Sequence, residues 1–244
     1  MSDAALPTVS LDPAALLSLM RLSSPALPIG GFSYSQGLES AIDAGWVQSE
    51  SDVRHWIASL LEANIGRFDA PLAIALFRAV AEGDDASASR LHQRWLASRE
   101  TAELRAETLQ MGQSLLQMLA GLELDPALRS QVDALRSHEA ECGLPLAWAF
   151  AARAFDLEPL AALSAWLWAW LENQVMAAIK AVPLGQQAGQ RLFSALRPAL
   201  AQVIARCADR TEGHTLPIHA SNFAPGFAIA SAQHETQYSR LFRS

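Results

Sequence analysis

Apolar residues recur every three or four positions along nearly the whole chain after Leu11, and no run of β-branched residues is bounded by hairpin turns. That period builds amphipathic helices, whose stripes are buried by stacking on one another. The expected fold is therefore all-α, a single-domain bundle of about ten helices joined by short connections. Residues 1–10 are expected to be flexible, 11–210 to form the helical domain, and 211–244 to form a C-terminal tail.

Start and stop signals place the helices. Asp12-Pro13 reads as an N-cap followed by Pro at the first helical position, opening a helix over Ala14 to Leu22. Pro25 to Gly31 reads as a loop and Ser33 to Ala44 as a helix that Gly45 ends. Ser49 or Ser51 caps a helix through Ile65, and Asp69-Ala70-Pro71 opens the next one. Helices are then expected over Ala86 to Ser98, Thr101 to Leu122, Pro126 to Arg136, Leu146 to Phe155, Pro159 to Ala181 and Gly185 to Asp209. Pro217, Pro225 and Gly226 interrupt any period beyond Thr211, leaving one short helix at Ala228 to His234.

Composition removes several function classes. Apolar residues make up 51%, too many for a disordered chain. A net charge of -7 argues against nucleic acid as a partner. The longest apolar run, Leu160 to Leu171, is shorter than the about 20 residues that cross a bilayer, so it reads as a buried helix and no membrane is expected. Cys142 and Cys207 do not make a disulfide framework. MSDAALPTVSLDP has no basic region followed by an apolar run, so a cytoplasmic location is expected.

Catalytic and metal-binding patterns are weak. Pro28-Ile29-Gly30-Gly31 lacks the spacing and the Lys of a phosphate-binding loop. Ser33 and Ser35 have no nucleophile-elbow context, and neither His55 nor His92 is placed by sequence as a base. His138 and Cys142 share a helical i, i+4 spacing, yet Glu139 and Glu141 mark a solvated stretch. His214 and His219 fall in the tail. No catalytic residue, metal ligand or cofactor is expected.

One segment reads as a contact surface. Arg21 to Val47, RLSSPALPIGGFSYSQGLESAIDAGWV, joins a Pro-rich entry and a Gly-Gly pivot to Phe32, Ser33, Tyr34 and Ser35, and then to Gln36 and Glu39. Among 18 basic residues only Lys180 is a lysine, a compact ammonium where the chain otherwise uses the Arg fork. Gln174, Gln186 and Gln190 form an amide-rich set that either knits the chain together or meets a partner. In the tail, Tyr238, Leu241 and Phe242 alternate with Arg240 and Arg243, residue types that anchor interfaces.

These motifs resemble the UreF family of urease accessory proteins. Leu27 to Glu39 with Gly45-Trp46-Val47 is similar to the family's N-terminal signature. Asn173-Gln174-Val175, Lys180, Val182 to Gln186 and Gly189-Gln190 are similar to its second signature, and Glu235 to Ser244 to its C-terminal ending. The resemblance implies an all-α, non-catalytic assembly protein that forms homodimers and binds UreD (UreH in some organisms). It implies that this complex receives the GTPase UreG, docks on apo-urease and takes part in nickel delivery, through an internal tunnel of the assembled complex. Phe32, Ser33, Tyr34, Ser35, Gln36, Glu39, Gln174, Lys180, Gln186, Gln190, Tyr238, Arg240, Leu241, Phe242 and Arg243 are then the expected partner-binding or gating residues. A helical-bundle enzyme using Glu39 and Lys180, and an adaptor unrelated to urease, are the alternatives.

Overall fold

A computed structural model describes residues 12–137, 141–208 and 220–244. The expected N-terminal arm, the tail's start, and His138, His214 and His219 lie outside them. The described residues contain eleven α-helical segments and no strand. These are α1 (Pro13–Leu22), α2 (Leu38–Asp43), α3 (Glu50–Leu60), α4 (Ala70–Glu82), α5 (Asp85–Ala97) and α6 (Ala102–Ala120). They continue with α7 (Pro126–Leu135), α8 (Leu144–Ala154), α9 (Pro159–Ala181), α10 (Gln186–Ala208) and α11 (Pro225–His234). The all-α expectation holds.

Capping chemistry explains most starts. Asp12 caps α1, Thr101 caps α6 and Asp125 caps α7. Ser49, rather than Ser51, caps α3 in a full capping box with Asp52. Two starts differ from expectation. No break occurs at Asp69-Ala70-Pro71: Leu61–Asp69 is a π-helical stretch that joins α3 to α4 as one rod. Pro71 lacks an N–H, and the looser π register in the turn before it absorbs the missing bond. Asp69 does not cap; its carboxylate pairs with Arg99 at 2.7 Å.

The second difference is α2, which starts at Leu38 and not at Ser33. Gly31–Ser33 is a single 3-10 turn, and Tyr34 returns to extended backbone. Gln36 and Gly37 then take left-handed φ values of 53° and 76°, which no right-handed helix tolerates. A Cβ at Gly37 would also crowd α11, lying 3.1 Å from the Ser231 nitrogen.

α9 runs through the centre. It packs against α1, α2, α4, α8 and α10. Leu163, Trp166, Leu167, Leu171, Val175 and Ala178 are buried around it, so it is apolar on nearly every side because it has neighbours on nearly every side. No helix of the described residues is long and apolar enough to cross a membrane. α6 lies against α8, and Gly112 permits the approach: a Cβ there would fall 2.1 Å from the Cys142 carbonyl oxygen.

Candidate functional site

The three motifs, far apart in sequence, meet at one place. Tyr34 and Ser35 are buried beside α9, where Asn173 Nδ2 donates to the Tyr34 carbonyl at 2.8 Å and Gln174 Nε2 to the Ser35 carbonyl at 3.3 Å. The Trp170 indole N–H donates to Gln36 Oε1 at 2.8 Å, and Gln36 Nε2 donates to Glu107 on α6 at 2.6 Å. The Tyr34 hydroxyl donates to Gln110 at 2.7 Å. Lys180 Nζ lies 3.4 Å from the Phe32 carbonyl oxygen and 5.6 Å from the centre of the Phe242 ring.

The C-terminal segment closes the cluster. Ser244 O accepts the Ser35 amide at 2.7 Å, the Gln36 amide at 3.0 Å and the Ser35 hydroxyl at 2.5 Å. The Arg243 amide donates to the Ser33 carbonyl at 2.8 Å. Glu39 receives the Leu241 amide at 2.6 Å on one oxygen and the Phe242 amide at 3.0 Å on the other. The segment does not stand free: Phe242 is 6% exposed, and main-chain groups of residues 241–244 bond to Ser33, Ser35, Gln36 and Glu39. Backbone amides buried this way need acceptors, and Glu39 and Ser33 supply them. Tyr238 and Leu241 remain on the outside, 104% and 72% exposed.

Several expected contact residues therefore have internal partners. Glu39 is a buried clamp for the tail, not a charge on a helix surface. Gln174 is fully buried, so it does not join Gln186 and Gln190, which are exposed on α10. Arg240 holds Glu103 at 2.6 Å, and Arg243 donates to Gln110 at 3.3 Å.

Five participants escaped the sequence reading: His234, Glu103, Glu107, Gln110 and Trp170. His234 is fully buried, with Nδ1 2.6 Å from Glu103 and Nε2 3.2 Å from Glu39. Glu107 is buried beneath the loop, and burial pushes its carboxyl up, against the opposing pull of Gln36 and Ser244. Its place carried a signal: it sits between Leu104, Thr108 and Met111, on the stripe that faces inward. Nothing in the sequence marked His234, because its partners lie more than a hundred positions away.

Under Leu22–Ser33 lies a cavity of ≈ 400 Å³. Trp95, Trp148, Trp166 and Trp170 wall it, and Asp69, Arg99, Glu107, Glu172 and Asn173 bring polar groups to it. Arg99 stacks on Trp95 at 4.0 Å while pairing with Asp69. Burial raises the Glu172 carboxyl, and Asn173 Oδ1 has no hydrogen-bond partner among the described residues.

The chemistry of a hydrolase or metal centre is not assembled among the described residues. Among the described residues, no group of three His, Cys, Asp or Glu is placed to hold an ion. Ser35 Oγ donates to a carbonyl, not to a histidine. His55 bonds its own helix, and His92 bonds the Glu141 carbonyl at 2.9 Å. Cys142 is buried and its thiol is pushed up to about 12, so it is a poor ligand at neutral pH.

Comparison with known proteins bears on this cluster. A family model described as UreF matches residues 47–197. The chain is 51% identical over 234 residues to the urease accessory protein UreF of Azoarcus sp. (strain BH72), covering 94% of this chain and 95% of that one. It is 52% identical over 228 residues to the protein of the same name from Ectopseudomonas mendocina (strain ymp), covering 93% and 98%. It is also 50% identical over 238 residues to the bifunctional urease accessory protein UreEF of Bordetella bronchiseptica, covering 97% of this chain and 54% of that protein.

Proposed function

Because the chain belongs to the UreF family of urease accessory proteins, we propose that it is a non-catalytic assembly factor that, with a UreD/UreH partner, recruits the GTPase UreG and gates nickel delivery to apo-urease. A role in urease maturation comes with the family. The partners and the gating are this reading's own.

One observation carries it. The N-terminal loop, the end of α9 and the C-terminal segment meet in a single hydrogen-bonded cluster, from which Tyr238, Leu241, Lys180 and Arg243 are turned outward. Two exposed apolar side chains beside two exposed cations suit a partner that presents an apolar patch edged with carboxylates. On this reading the half-buried Phe32 and Ser33 and the exposed Gln186 and Gln190 also meet the partner, and Ser35, Gln36, Glu39 and Gln174 support the cluster from within. The cavity beneath the loop is the place where a passage could open inside the chain.

The enzyme alternative loses support at Glu39 and Lys180. Both Glu39 oxygens are taken by tail amides, and Phe242 lies against Lys180, so the two groups do not converge on an open site. The test is a nickel urease gene cluster lacking this gene. Restoring the gene is expected to restore urease activity and urease-bound nickel together. Nickel-loaded, active urease formed without the gene would overturn the proposal.

A further inference from the structure

The cavity beneath Leu22–Ser33 measures ≈ 400 Å³, inside the about 300–1,000 Å³ range of small-molecule sites. Its wall from α9 follows one helical stripe, Trp166, Ala169, Trp170 and Asn173, with Glu172 at the stripe's edge. The cavity's donors are largely engaged elsewhere. The indole N–H groups of Trp95, Trp148 and Trp170 donate to Thr108, the Ala162 carbonyl and Gln36 at 3.0, 3.1 and 2.8 Å. Those three rings therefore bring π systems to the space and no free N–H. Arg99 directs its guanidinium to Asp69 and Ser98, and Asn173 Nδ2 is held by the Tyr34 carbonyl.

Acceptors are left over. Glu172 makes no hydrogen bond or ion pair among the described residues, and burial raises its carboxyl with no cation opposing it. Asn64, from the π-helical stretch, adds its amide to the lining, and Asn173 Oδ1 lacks a partner. Charge is uneven in the same direction. Among the described lining residues one cation, Arg99, stands against three carboxyl groups, Asp69, Glu107 and Glu172. Asp69 takes up Arg99. Glu107 has hydrogen bonds on both oxygens, from Gln36 at 2.6 Å and Ser244 at 2.7 Å. Glu172 is the carboxylate without a counterpart.

We infer that this cavity is a binding site for a small organic cation: an amidinium, guanidinium or primary ammonium on a short apolar body. Its N–H groups pair with Glu172, and its body packs among the tryptophans, whose electron-rich faces attract a positive charge. An anion would meet a carboxylate and the same π faces, both repulsive. The roof leaves a way in. Among the described residues, main-chain hydrogen bonds of Ser24 to Gly30 stay within residues 21–33, so the roof can lift without breaking a bond to another helix. The site is independent of the docking role proposed above.

The experiment is a calorimetric titration of the full chain with benzamidinium and with n-butylguanidinium, set beside neutral benzamide and anionic benzoate. At least one cation is expected to bind at least about tenfold more tightly than benzamide, and benzoate is expected not to bind. Glu172→Gln keeps the shape and removes the charge. It is expected to weaken cation binding at least about tenfold, the scale of one charge-assisted hydrogen bond, and to leave benzamide unchanged. Ala169→Leu fills the space and is expected to abolish cation binding. Failure of both cations to bind, benzamide or benzoate binding as tightly as the cation, or wild-type cation affinity in Glu172→Gln would each overturn the inference. Wild-type cation binding by Ala169→Leu would also overturn it, by placing the ligand elsewhere. Melting curves accompany both variants. Should Ala169→Leu melt early, Glu172→Gln decides alone, because it changes charge and not volume at a half-buried position.

Discussion

Ser35 and Ser244 are joined twice across 209 positions of sequence: the Ser35 amide and its hydroxyl both donate to one carbonyl oxygen, at 2.7 and 2.5 Å. The loop that leads from α1 into α2 is thereby fastened to the C-terminal segment. The consequences are testable residue by residue.

Glu39→Ala removes the acceptor for two tail amides, of Leu241 and Phe242, and the partner of a buried histidine. Each charge-assisted bond contributes about 1.5–3 kcal/mol, so local stability of the tail is expected to drop by several kcal/mol. Hydrogen exchange is expected to show residues 238–244 released while α4 and α9 stay protected. Tail amides as protected as in the wild type would show that Glu39 does not hold the segment.

Lys180 is exposed, with one long contact to a carbonyl and a ring beside it. Lys180→Ala is therefore expected to change stability by less than about 1 kcal/mol. The same change is expected to reduce urease activation in cells, because it removes a cation from the outward face. Lys180→Arg separates charge from shape: full activation there would show that a positive charge alone suffices. A melting temperature lowered by Lys180→Ala, with activation tracking the folded fraction, would make the residue purely structural.

Glu107 sets a pH dependence of definite sign. Burial raises its carboxyl in the folded chain above the ordinary 4.5, so the unfolded chain releases this proton first. The group's contribution to stability is complete below 4.5 and is lost as pH rises through the raised folded value. Glu107→Gln cannot ionise and keeps an oxygen for the Gln36 donor. The wild type is expected to lose stability relative to Glu107→Gln as pH climbs from 4.5 towards neutrality. Parallel denaturation midpoints across that range would contradict the assignment. His92, lowered by its own burial, acts with the opposite sign and cancels in the comparison.

A two-fold homodimer is expected from the family, as the commonest symmetric assembly. Light scattering of the purified chain is expected to give twice the 26.3 kDa monomer mass at micromolar concentration. A monomer mass throughout that range would count against it.

The bundle was legible because its determinants are local. Period, caps at Asp12, Ser49 and Asp125, and the stop at Gly45 depend on neighbours in sequence. The burial of α9 followed from its composition. Local reasoning failed where the deciding partner is remote or the backbone choice is rare. Asp69 and Pro71 look like a helix start, but Arg99 claims the carboxylate. Gln36 adopts a left-handed φ that a non-glycine residue seldom takes, so the delayed start of α2 was hidden. The tail carries no helical period, and its acceptors, Glu39 and Ser33, lie about 200 positions upstream. Its fold-back could not be read from its own residues.

The outward surface is the centre of the account, and Tyr238→Ala with Leu241→Ala tests it most directly. Both side chains are exposed, so the double variant is expected to fold and melt like the wild type. The measurement is the affinity of the purified variant for a UreD-type accessory protein, set beside its melting curve. The account predicts affinity at least about a hundredfold weaker, the scale of two interface anchors, with melting unchanged. Wild-type affinity in the double variant would contradict it.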